Sequence, residues 1–138
     1  MIGFKERARR HQLKFREEVL KVAYDGVETI LTDADAQNGL IFFDGFKINE
    51  YAHGRYPHFK LKQACFANML RSEHIPFNFF VPISKNIEYA RAVLNRFMDG
   101  EINIITEIRI EHAPDPEEAL KDKTFFDVFI EYRHASGD

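Results

Sequence analysis

Strict alternation marks the last part of the chain. From Phe125 to Arg133, Phe126, Val128, Ile130 and Tyr132 fall on one side and Phe125, Asp127, Phe129 and Glu131 on the other, the two-residue period of a strand. An earlier run, INIITEIRIEH over 102–112, sets Ile104, Ile108 and Ile110 against Glu107, Arg109 and Glu111. Between Ser84 and Gly100 the period changes. Ile87, Ala90, Val93, Leu94 and Phe97 recur at three- and four-residue steps, which predicts a helix capped by Ser84, running to about Met98 and ended by Gly100. Such a helix packs on a sheet in which 102–112 runs antiparallel to 124–133. The intervening APDPEEALKD reads as a Pro-rich loop or short helical turn.

The first half is less regular. Ala8, Phe15, Val19 and Val22 lie near helical spacing, which predicts a helix from Lys5 to about Ala23, closed by Tyr24-Asp25-Gly26. Residues 27–56 read as mixed, because NGLIFFDGFKI has the apolar content of a strand and the Gly39 and Gly45 punctuation of a structured loop. Pro57 opens a helix from about His58 to Ser72, with Phe59, Ala64, Phe66, Met69 and Leu70 apolar on more than one side. IPFNFFVPIS, bounded by Pro76 and Pro82, reads as too short for a helix. The sequence holds no internal repeat.

Composition narrows the class. A 138-residue chain, 45% hydrophobic and 30% charged, is long enough to bury a core as one domain without disulfides. A net charge of −3 argues against a generally basic nucleic-acid coat. One local cluster stands out, Lys5, Arg7, Arg9, Arg10, Lys14 and Arg16, placed where the helix dipole disfavours positive charge. It is either a solvated face or a set of phosphate contacts made by Arg7, Arg9, Arg10 and Lys14. The single Cys65 cannot form an internal disulfide and reads as buried on a helix, which favours a reducing, cytoplasmic setting. His53 and His58, five apart in an expected loop, do not have a zinc spacing. The charged opening is not a signal peptide, and no apolar run reaches the ~18 residues of a membrane span.

Several patches together resemble a bacterial group of PD-(D/E)XK nuclease-like proteins. Asn68, Met69, Leu70 and Ser72 match the group's Asn-Met-Leu-Ser-Ser segment, with Arg71 at the remaining position. Phe77, Asn78 and Phe80 match its Phe-Asn-Leu-Phe, and Glu111 and Pro114 match a Phe-Glu strand end and nearby Pro, with Ile110 replacing the Phe. Phe126 and Asp127 match its Ala-Phe-Asp strand, and RARRHQLKFR resembles its opening Arg-Ala, His-Gln and Arg pattern.

The resemblance implies an α/β (α+β) restriction-endonuclease-like core, with 1–83 a helical N-terminal part and 84–138 the start of the nuclease core. It implies Asp127 and Glu111 as catalytic, Mg²⁺-holding carboxylates, Glu88 as a weaker candidate, and a nucleic-acid partner, DNA ahead of RNA. In the group a Glu-x-Lys strand follows the last hairpin, so the chain is expected to stop at Asp138 just short of it and to be inactive as a fragment. The plainer reading of each carboxylate is a solvent-facing residue; Glu131 lies too far along the strand from Asp127, at ~3.3 Å per residue, to share one ion. Two further readings stay open: a non-catalytic nucleic-acid-binding module using the basic helix, and an interaction module or homodimer built on the 124–133 edge strand.

Overall fold

A computed structural model describes residues 2–55, 64–112 and 126–137, and at 55, 64, 65, 111, 112 and 126 the backbone alone. The chain divides into two compact units, Met1–His74 and Ile75–Asp138.

In the first unit, α1 (Phe4–Phe15) runs into a π-helical turn, Arg16–Leu20, and Lys21 ends it in the left-handed region at φ 56°. The helix therefore stops before the expected Ala23. Three short helices follow, α2 (Asp33–Gln37), α3 (Ile48–Arg55) and α4 (Ala64–Ala67). Thr32 caps α2 by accepting from the Asp35 N–H at 3.3 Å. Gly39, at φ 73°, follows α2, and a Cβ there would overlap the Asn49 side chain, so glycine is required twice over. Leading into the mixed 27–56 segment, a small hairpin joins Tyr24 to Leu31 by a bridge. Its returning limb pairs with 67–69, where the Leu31 N–H donates to Ala67 O at 2.9 Å and the Met69 N–H to Thr29 O at 3.0 Å. This pairing explains why the helix expected to reach Ser72 stops at Ala67: the backbone of 67–69 is committed to the hairpin. His58 and the earlier part of that helix lie outside the described residues. His53, expected in a loop, sits on α3 and stacks on Phe66 at 4.4 Å between ring centroids.

Two helices and the sheet follow. The segment read as too short for a helix is α5, His74–Ser84. Proline is tolerated in a first turn, where Pro76 lies, because those N–H groups lack intrahelical partners, and Pro82 falls in the last turn. Burial of Phe77, Val81 and Ile83 outweighs the bond that Pro82 removes. Ser84 caps nothing downstream: its hydroxyl donates to Val81 O at 2.9 Å, and Asn86 caps α6 (Ile87–Leu94) by accepting from the Tyr89 N–H at 3.0 Å. Turns replace the helix expected through Met98. Asn95 starts them, its amide donating to Ile102 O and its carbonyl accepting from the Ile102 N–H, both at 2.8 Å, so the side chain ties the helix end to the first strand.

Strands β1 (Ile102–His112) and β2 (Phe126–His134) pair antiparallel, as the alternation predicts, and Thr124 and Phe125 lie outside the described residues. The helices cover one side of this sheet. Ile83, Ala90, Ile102 and Ile105 form the buried centre, with Phe80, Leu94, Ile108, Ile130 and Tyr132 packed around it. Ile104, expected on that side, is 47% exposed. Register shifts between 102 and 104 and again between 105 and 107 reverse the alternation twice, so Ile105 takes the inward place.

Candidate functional site

The candidate strand residues from the sequence fall on the side of the sheet away from α5 and α6. Ile108 and Ile110 on β1, with Ile130 and Tyr132 on β2, point to the core side, so Glu107 and Arg109 fall opposite, with Asp127, Phe129 and Glu131 beside them. The register sets Glu107 against Glu131 and Arg109 against Phe129. Ile110 pairs with Val128 and His112 with Phe126, which leaves the backbones of Glu111 and Asp127 on the rung between. The two residues expected to act together are thus cross-strand partners in backbone register. Asp127 is exposed; the Glu111 side chain lies outside the described residues.

The rung next to them has its own structure. The Arg109 guanidinium lies over the Phe129 ring, 5.4 Å from its centroid, and pairs with the Glu107 carboxylate. That hydrogen bond, against weaker desolvation, raises the Arg109 pKa above its ordinary value, so the side chain is a permanent cation. Glu131 is held by the Thr106 hydroxyl, which donates to its Oε1 at 2.8 Å and to its backbone oxygen at 3.1 Å. Alternation alone places Arg109 among solvent-facing polar residues. Its position two residues from Glu111, with Phe129 two from Asp127, becomes informative only once the register is known.

The remaining candidates lie elsewhere. Glu88, on α6, is 77% exposed in its side chain and paired with Arg91 at 2.9 Å. Among the described residues, no group of three or more His, Cys, Asp or Glu comes together in a way that could hold a metal ion. In the first unit, Arg9 pairs with Glu28 at 3.2 Å, Arg10 with Glu6 at 3.0 Å and Lys14 with Glu18 at 3.7 Å, all on exposed side chains, and Arg7 is exposed. Exposed pairs of this kind contribute ~0–1 kcal/mol and exchange readily for another anion. Arg16 differs. It is 3% exposed, with one terminal nitrogen donating to Glu28 O at 2.9 Å, the other to Glu17 at 2.9 Å, and its guanidinium 4.6 Å from the Tyr24 ring centroid. Its role is internal.

Helices packed on a two-stranded antiparallel sheet make an α+β domain consistent with the restriction-endonuclease-like kind. Comparison with family models matches residues 2–138 to the PD-(D/E)XK nuclease superfamily, and the chain belongs to that family. No curated protein and no solved structure matches it. Members of the superfamily commonly use divalent metals, and membership implies a nucleic-acid substrate. No helix among the described residues is long and apolar enough to cross a membrane.

Proposed function

We propose that this chain contributes part of a metal-dependent phosphodiester-hydrolysing site, in which Asp127 and Glu111 together hold a divalent cation against DNA. The observation that carries the reading is the shared rung, since two carboxylates from neighbouring strands give the hard oxygen donors that Mg²⁺ prefers. When bound, the cation would supply Lewis-acid stabilisation of phosphoryl charge. The chain's own residues do the rest: Asp127 and Glu111 fix the ion's place on the sheet, and the exposed Arg7 offers a phosphate contact, as do Arg9, Arg10 and Lys14 in exchange for their glutamates. Residues 1–138 hold no Asp-x-Lys or Glu-x-Lys. The nearest relations, Glu107-Ile108-Arg109 and Glu131-Tyr132-Arg133, end in arginine, which does not give up its proton and cannot activate water as a lysine does. The reading therefore assigns binding, and no turnover, to these residues alone.

Binding of a short fluorescein-labelled DNA duplex, followed by anisotropy in Mg²⁺ and in EDTA, tests this. The expected result is about tenfold tighter binding in Mg²⁺, a difference of ~1.4 kcal/mol, with the gain lost in Asp127→Asn. Equal gains in wild type and variant would overturn the metal assignment. A second reading is favoured by β2 itself, which among the described residues has β1 as its strand neighbour on one edge and no strand on the other. A second copy joining through 124–133 would fill it. A dimer that persists without DNA favours that reading; a monomer at high concentration removes it.

A further inference from the structure

The side of the sheet that bears Asp127 is rich in negative charge. A phosphate approaching this side of the sheet meets Glu107, Glu131 and Asp127, and Coulomb repulsion from three carboxylates opposes it unless a cation stands among them. Arg109 stands among them. Its rung separates the Glu107/Glu131 rung from that of Asp127, and two residues of strand are ~6.6–7 Å, within reach of an arginine side chain. Phe129 supports the guanidinium from beneath, so its plane is set before any ligand arrives and less side-chain entropy is lost on binding. The Arg109 side chain is 41% exposed, leaving part of its donor fork open to solvent, and one terminal nitrogen pairs with Glu107.

We propose that Arg109 is a positioning residue for nucleic acid: it takes the phosphate next to the one held at Asp127, with Phe129 as its support and Glu107 as the resident anion that the phosphate displaces. The proposal deepens the nuclease reading and rests on it. It makes Glu107 a competitor of the substrate, and that separates it from a merely structural ion pair. If the Arg109–Glu107 pair served only to hold the sheet, removing either partner would disturb binding in the same direction. In competition the two changes act oppositely.

The experiment is anisotropy of the whole 138-residue chain with the same labelled duplex in Mg²⁺, across a series of salt concentrations. Arg109→Ala is expected to weaken binding about tenfold and to lower the slope of log affinity against log salt by about one phosphate contact. Arg109→Lys should recover the salt slope and only part of the affinity, because a lysine keeps the charge and loses the planar fork. Glu107→Gln should tighten binding about threefold, the reverse sign, as a competing charge is removed. Thermal unfolding of each variant separates a folding defect from a binding one. Arg109→Ala binding as wild type does, or Glu107→Gln weakening binding in a folded protein, overturns the proposal. Asp127→Asn keeps the two readings apart: if the Mg²⁺ effect survives in that variant while Arg109→Ala still weakens binding with the lower salt slope, the metal assignment fails and Arg109 stands. If the wild-type chain binds no duplex, both fall.

Discussion

Replacing Arg16, the most buried charged side chain among the described residues, by alanine is expected to lower the unfolding free energy by about 3 kcal/mol. The guanidinium is buried and makes a charged hydrogen bond to Glu28 O, a bond of a kind worth ~1.5–3 kcal/mol, and it stacks on Tyr24, which adds ~0.5–2 kcal/mol. The ion pair with Glu17 adds little, because that carboxylate is 65% exposed in its side chain. Alanine would leave the Glu28 carbonyl without this donor. It would also free the turn: Arg16 opens the π-helical stretch, whose closing bond runs from the Lys21 N–H to Arg16 O at 2.7 Å, and the side chain ties that stretch to the hairpin starting at Tyr24. Arg16→Lys should recover less than half of the loss, since an ammonium cannot donate to two separated acceptors while stacking on the ring. Urea unfolding of the three proteins measures this directly. A loss under ~1 kcal/mol for Arg16→Ala would mean that water replaces the guanidinium at little cost.

Acid sensitivity between pH 6.5 and 4 is the second large effect, and it is traced to His74. This ring is 6% exposed, packs edge-on to Phe42 at 6.1 Å, and its Nδ1–H donates to Arg71 O at 3.2 Å. Burial, opposed by the Glu73 charge and assisted by Arg71, lowers its pKa from 6.5 to about 4. The unfolded chain therefore binds the proton first as pH falls. Stability from the neutral ring is fully present above pH 6.5, declines below it, and is lost as pH passes through about 4. At ~1.36 kcal/mol per pH unit, the loss across that window is on the order of 3 kcal/mol. Glu73 is lowered too, chiefly by its hydrogen bond with Arg71, so its contribution is present above the ordinary carboxylate range and is lost only at lower pH. His74→Leu should flatten the pH dependence of unfolding between pH 6.5 and 4.5, whatever its effect at neutral pH. An unchanged slope in that variant would show that His74 is hydrated in the native protein.

What the sequence made legible was the sheet and its partner helix. Both late runs alternate strongly, and Ala90 and Leu94 sit where helical spacing puts them against Ile102 and Ile105. The inward side of β1 was not legible, because a bulge leaves no mark in an Ile-rich run and any of Ile102, Ile104 or Ile105 suits the core. Reading Pro76 and Pro82 as boundaries hid α5, although Phe77, Val81 and Phe80 already had helical spacing; proline's cost depends on position within a helix, and here one lies in the first turn and one in the last. For the site, Asp127 and Glu111 came from family likeness, and pattern alone gave two polar residues on two strands. Register turned them into neighbours. The same register drew attention to Arg109, a residue whose type and spacing carried no signal before its partner strand was placed.

Backbone NMR of the isotopically labelled chain titrated with Mn²⁺ tests the central assignment most directly, because a paramagnetic ion broadens the amides nearest to it whether or not any turnover occurs. The account predicts selective broadening at 110–112 and 126–128 at low Mn²⁺, reversed by excess Mg²⁺ and absent in Asp127→Asn. Broadening centred on another acidic stretch, or the same broadening at 126–128 in the variant, would contradict it.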